Sequence, residues 1–103
     1  MRPPRDPSDA LSWIKEAVAN GHYMASIHLF ERMDERASSM LDVRTAIANA
    51  EMIVPYDGEA EHDGTCWRVS GVDTEGDALA IGVEAYASVD GKKKSILITV
   101  FEK

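Results

Sequence analysis

One change in the spacing of apolar residues, at Ala50, constrains this chain more than any other feature. Before it, apolar side chains recur every three or four residues, the period that gives a helix one buried face. Leu11, Ile14, Ala17 and Val18 form such a set between an Asp6-Pro7-Ser8-Asp9 start and an Asn20-Gly21 stop, which predicts a helix over 7–19. Ser26 is placed to cap a second helix with Ile27, Phe30, Met33 and Ala37 on its inner side. Ser38 or Ser39, the latter with Asp42 three residues on, caps a third whose inward stripe is Met40, Val43, Ala46, Ile47 and Ala50, although no Gly or Pro separates it from the second and one bent helix is the alternative. Tyr23-Met24-Ala25 is at most a short extended link.

After Ala50 the period shortens to two, the mark of strands. Met52–Val54, Cys66–Val69, Leu79–Ala87 and Ser95–Phe101 are the expected strands, and Asp90-Gly91 is a hairpin turn between the last two. In the final strand Ile96, Ile98 and Val100 oppose Leu97, Thr99 and Phe101, so a central position buried on both faces fits it. The expected fold class is α+β, with N-terminal helices packed on one face of a C-terminal four-stranded antiparallel sheet. At 103 residues it makes one domain over 1–103, of which 1–6 is a flexible N-terminal arm.

No apolar run approaches the roughly 20 residues of a membrane span, and Met1–Pro7 leads into no apolar stretch. With Cys66 as the one cysteine, a cytoplasmic protein is expected. Charge is uneven: residues 1–50 hold six basic and seven acidic side chains, residues 51–103 five and eleven. The sheet half thus carries −6 of the net −7, a field that repels a broad phosphate-tracking contact.

The candidates for chemistry are few. His28, Arg32 and Arg36 recur every four residues, which aligns three potential cations along one side of the second helix. Guanidinium forks suit phosphate, and imidazole moves protons near neutral pH. Interleaved Glu31, Asp34 and Glu35 can pair with Arg32 and Arg36, and spacing alone favours such a solvated, ion-paired face. The loop with Asp57, Glu59, Glu61, His62 and Asp63 matches no metal-loop spacing and is read as an acidic loop, so no metal or other cofactor is expected. Cys66 reads as a buried, inert thiol, Lys92-Lys93-Lys94 as a solubilising hairpin tip, and Trp13, Trp67 and Phe101 as core.

The run His28-Leu29-Phe30-Glu31-Arg32-Met33-Asp34-Glu35-Arg36 resembles the H-x-x-E-R-M-x-E-R segment of a bacterial domain-of-unknown-function family. That family is similar to the RelE-like toxins, including the BrnT and MqsR mRNA interferases. Ile53–Tyr56 and Ile98–Phe101 also resemble its turn and closing strand, and Leu11–Gly21 resembles the first helix of the MqsR type. The resemblance implies a metal-free endoribonuclease that uses the RNA 2′-hydroxyl as nucleophile and is blocked by an antitoxin partner. It carries His28, Arg32, Arg36, Tyr56 and Thr99 over as catalytic candidates, and Arg68 and Lys94 join them as cationic substrate contacts. Such toxins are usually basic, whereas this chain is acidic. The alternative expectation is a non-catalytic binding or regulatory module of the same fold, as a monomer or a homodimer, that uses an exposed sheet edge or the acidic loop to bind a partner.

Overall fold

The computed structural model describes residues 1–101. In chain order they form α1 Pro7–Ala19, β1 Tyr23–Ala25, α2 Ile27–Arg36, α3 Met40–Ala48, β2 Met52–Pro55, β3 Thr65–Val72, β4 Ala78–Ala87 and β5 Lys93–Phe101. The α+β class is as expected, but the sheet has five strands in the order β1-β5-β4-β3-β2. β2 to β5 form the antiparallel meander, and β1 adds to β5 in parallel with Met24 opposite Ile96. The sheet is therefore mixed, not purely antiparallel and four-stranded. Three residues are too few to show a period of two; β1 is recruited by β5, whose Ser95 N–H donates to His22 and whose Leu97 carbonyl accepts from Ser26.

Capping sets the helix starts. The Asp6 carboxylate accepts from the N–H groups of Ser8 and Asp9, Ser26 Oγ accepts from Leu29 N–H, and Ser39 and Asp42 form a reciprocal capping box. Ala37, at φ 53°, turns left-handed and separates α2 from α3.

The core lies between the sheet and the pair α1, α3. Trp13, Ile14 and Val18 of α1 and Val43, Ala46 and Ile47 of α3 cluster with Trp67, Val69, Ile81, Val83, Leu97 and Val100. Gly71 is what lets α3 approach β3: a Cβ there would stand 2.0 Å from the Ala46 carbonyl oxygen.

Two expected patterns are overturned by tertiary placement. In α2 the buried residues are Leu29 and Met33, while Ile27 is 79% and Phe30 53% exposed and Ala37 is an exposed cap. The reason is position: α2 runs along the edge of β5 beyond the end of β1, so only a narrow side of it meets the core. In β5 the pairing moves from Gly82–Thr99 directly to Val83–Leu97, leaving Ile98 as a bulge. Leu97 and Val100 consequently share the inner face, against a strict alternation, and Thr99 lies on the outer one. At the N-terminus Pro4 is buried and its carbonyl accepts from Thr65 Oγ1 at 2.6 Å, so the arm before α1 is tied to β3 at one point. No helix among the described residues is long and apolar enough to cross a membrane.

Candidate functional site

Strand register builds a side-chain cluster on the sheet face opposite α1 and α3. Val54, Arg68, Gly82 and Thr99 fall in one row across β2, β3, β4 and β5. Gly82 contributes no side chain to that row, and three neighbours close over it. A Cβ at Gly82 would lie 3.1 Å from Thr99 Cγ2, 3.1 Å from Tyr56 Cε2 and 3.4 Å from Phe101 Cε2. Tyr56 and Phe101 meet edge to face with centroids 5.1 Å apart, and the Arg68 guanidinium carbon stands 4.7 Å from the Phe101 ring centre. Tyr56, Arg68 and Thr99, three of the candidates from sequence, are thus neighbours. Phe101, expected in the core, is instead the outer-face ring that joins them.

The cationic row of α2 has a different employment. β1 stops at Ala25, which leaves the far half of β5 without a strand neighbour on that side. Side chains replace the strand: Ser26 Oγ donates to the Ile98 carbonyl at 2.5 Å, Arg32 Nε to Val100 at 3.4 Å and Arg36 Nη1 to Phe101 at 2.8 Å. Arg32 also pairs with Glu35 at 3.2 Å. A buried or half-buried carbonyl without a partner is costly, so these donors have a structural duty whatever else they do. His28, at the start of the same row, is exposed. Lys94 stands apart, toward the opposite end of β5, where its carbonyl accepts from Trp13 Nε1 at 3.1 Å.

The acidic loop folds against the rest of this outer face through a residue that sequence reasoning passed over. Glu84 is fully buried, and its carboxylate accepts from the N–H groups of Glu61, His62 and Gly64, each at 2.9 Å. Asp63, at φ 56°, supplies the left-handed step that turns these donors onto one anion. His62 lies with Nδ1 3.9 Å from Glu84 and its ring 4.7 Å from that of Tyr86. Burial, and secondarily the Glu84 charge, push the Tyr86 hydroxyl and the half-buried Cys66 thiol above their ordinary ranges. Cys66 is therefore held as the thiol, not the reactive thiolate. A lone acid inside the apolar run Leu79–Ala87 was the signal available for Glu84. Among the described residues no three His, Cys, Asp or Glu side chains are placed to share a metal ion.

Chemically, the cluster offers an aromatic pair and an exposed arginine, while the Thr99 hydroxyl is buried and donates to the Val100 carbonyl. Such a set suits a planar ring attached to an anionic group. Compared with protein-family models, curated proteins and solved structures, the chain matches none.

Proposed function

We propose that this protein acts on single-stranded RNA as a metal-free, RelE-like endoribonuclease of the cytoplasm, restrained by an antitoxin protein. The observation that carries this reading is the convergence of Tyr56, Arg68 and Thr99 with Phe101 around Gly82. Arg68 binds the scissile phosphate and, lying on Phe101, presents its flat face to a base. The RNA 2′-oxygen attacks phosphorus and gives up its proton, the bond to the 5′-oxygen breaks, and that oxygen gains a proton, leaving a 2′,3′-cyclic phosphate. Tyr56 is the proton carrier within the cluster, and the resemblance adds His28, exposed at the start of α2, as the second; the buried Thr99 packs beside Gly82 and supports the site from within the sheet. Arg32 and Arg36 act indirectly, by fixing the β5 edge that presents Phe101.

A second reading, a non-catalytic binding module, draws on the −6 charge of residues 51–103 and on the donors that Arg32 and Arg36 commit to β5. Incubating purified protein with an unstructured RNA oligonucleotide separates the two. The nuclease reading expects EDTA-resistant cleavage to cyclic-phosphate ends, abolished in Tyr56→Phe and Arg68→Ala. Binding without cleavage transfers the case to the second reading. Absence of both binding and cleavage, with harmless induced expression in cells, sinks the RNA assignment.

A further inference from the structure

The sheet has two open edges, and they differ in what they offer a neighbour. At β2, Pro55 has no N–H to give, and acidic Glu51 and Asp57 flank the strand. At β1 the situation is reversed. His22, Met24 and Ser26 direct their backbone groups toward β5, because Ser95 N–H donates to His22 and Ser26 N–H to Leu97. In a parallel ladder the intervening residues point the other way, so Tyr23 and Ala25 each present an N–H and a C=O outward. Beside this short edge stand three large exposed apolar side chains: Met24 at 51%, Ile27 at 79% and Phe30 at 53%.

We infer that the β1 edge and the adjoining side of α2 are the interface of a homodimer. An antiparallel β1–β1 pair with its two-fold axis at Met24 sets Tyr23 of each copy opposite Ala25 of the other. All four outward backbone groups of each copy are then paired, and the two sheets join into one of ten strands. The same symmetry carries the Ile27 and Phe30 end of α2 past the Gly21–His22 turn of the second copy. That turn borders a cavity of about 170 Å³ lined by Gly21, His22, Tyr23, Met24, Tyr86 and Lys94, a size suited to one apolar side chain. Lys94 at its rim complements Glu31 and Asp34, which flank Phe30.

Charge also selects this edge for self-association. The chain carries −7, so copies repel one another where the acid is dense. Eight of the acidic residues lie between Glu51 and Asp77, in the segments that flank β2 and β3; the 57–63 loop reaches across the outer face as far as Glu84 and Tyr86 of β4. The β2 edge also exposes apolar side chains, Met52, Val54 and Val72, but beside dense acid; the near-neutral β1 edge is where two copies approach with less repulsion, and pairing there removes its apolar trio from water.

Sedimentation velocity over a wide concentration range tests the interface. The wild type is expected to shift toward twice the chain mass as concentration rises. Ile27→Glu and Phe30→Glu, both at exposed positions and so tolerated by the fold, should raise the dimerisation midpoint by about tenfold or more. Met52→Glu, on the opposite edge, should leave it unchanged. A wild type that stays monomeric throughout, or a dimer that survives both α2 substitutions or dissolves with Met52→Glu, overturns the inference.

Discussion

Arg36 Nη1 donates to the carbonyl of Phe101 at 2.8 Å, which ties the last residue of the α2 cationic row to the ring of the outer-face cluster. The pair explains how one sequence motif serves two ends. Its guanidinium stands in for a missing strand at the edge of β5, and the carbonyl it holds belongs to the residue on which Arg68 rests.

Removing that donor should therefore cost stability. Arg36→Ala is expected to lower the unfolding free energy by about 1–2 kcal/mol, the range for a charge-assisted hydrogen bond partly open to water. Arg32→Ala should cost less, because its bond to Val100 is 3.4 Å long and its Glu35 pair is exposed. Urea titration of both variants, with Arg36→Lys for comparison, gives the ranking; an indifferent Arg36→Ala would refute the edge-capping role.

Glu84 should be the most sensitive charged position. Glu84→Ala strips the acceptor from three backbone N–H groups at once and is expected to cost about 3 kcal/mol. Hydrogen exchange gives the sharper test, since amides of Glu61, His62 and Gly64 should lose protection while those of α1 and α3 keep theirs. Uniform loss across the chain would mean global unfolding and not release of the loop.

Two glycines should respond differently to alanine. At Gly71 the new Cβ meets the Ala46 carbonyl at 2.0 Å, backbone against backbone, so α3 must shift on the sheet at a cost of about 3 kcal/mol. At Gly82 its nearest neighbours are side-chain atoms at 3.1 Å, which can give way, so a smaller loss is expected with displaced Tyr56 and Phe101 signals. Thermal melting together with the aromatic NMR spectrum distinguishes the two; equal losses would contradict this account.

Acid sensitivity should be traceable to Asp42. Hydrogen bonds from Thr74, then from Ser39, hold its carboxyl at about 2, below the ordinary 3.8. A depressed value in the folded state means the stabilisation is fully present above pH 3.8 and is lost as pH falls toward 2. Asp42→Asn should flatten the fall in melting temperature across that window and change little at neutral pH beyond a constant offset. A wild-type slope retained by the variant would assign the effect elsewhere, for example to Asp90, whose carboxyl Ser88 also holds low.

Much of the architecture was legible because local physics dictates it. The caps at Asp6 and Ser26, the Asp90-Gly91 turn and the period change at Ala50 each act within a few residues and appear where expected, and of the two serines open to cap α3 it is Ser39 that does so. Of the candidate residues, Tyr56, Arg68 and Thr99 do come together, while Lys94 stands toward the other end of β5. Phe101 takes the outer face and not the core, because an aromatic at the end of an apolar strand carries no mark of which face it will occupy. The Ile98 bulge reverses the expected alternation, and a bulge is set by pairing with β4, not by the strand's own residues.

By itself, then, the amino-acid order determined the elements, their caps, the α+β class and the concentration of negative charge on the sheet half. Only the tertiary structure decided that Tyr23–Ala25 becomes a strand, that α2 lies along an edge, and that its arginines serve β5. The physical reason is range. Propensity and capping act between near neighbours in the chain, whereas an unpaired carbonyl is satisfied by whichever donor the fold brings to it.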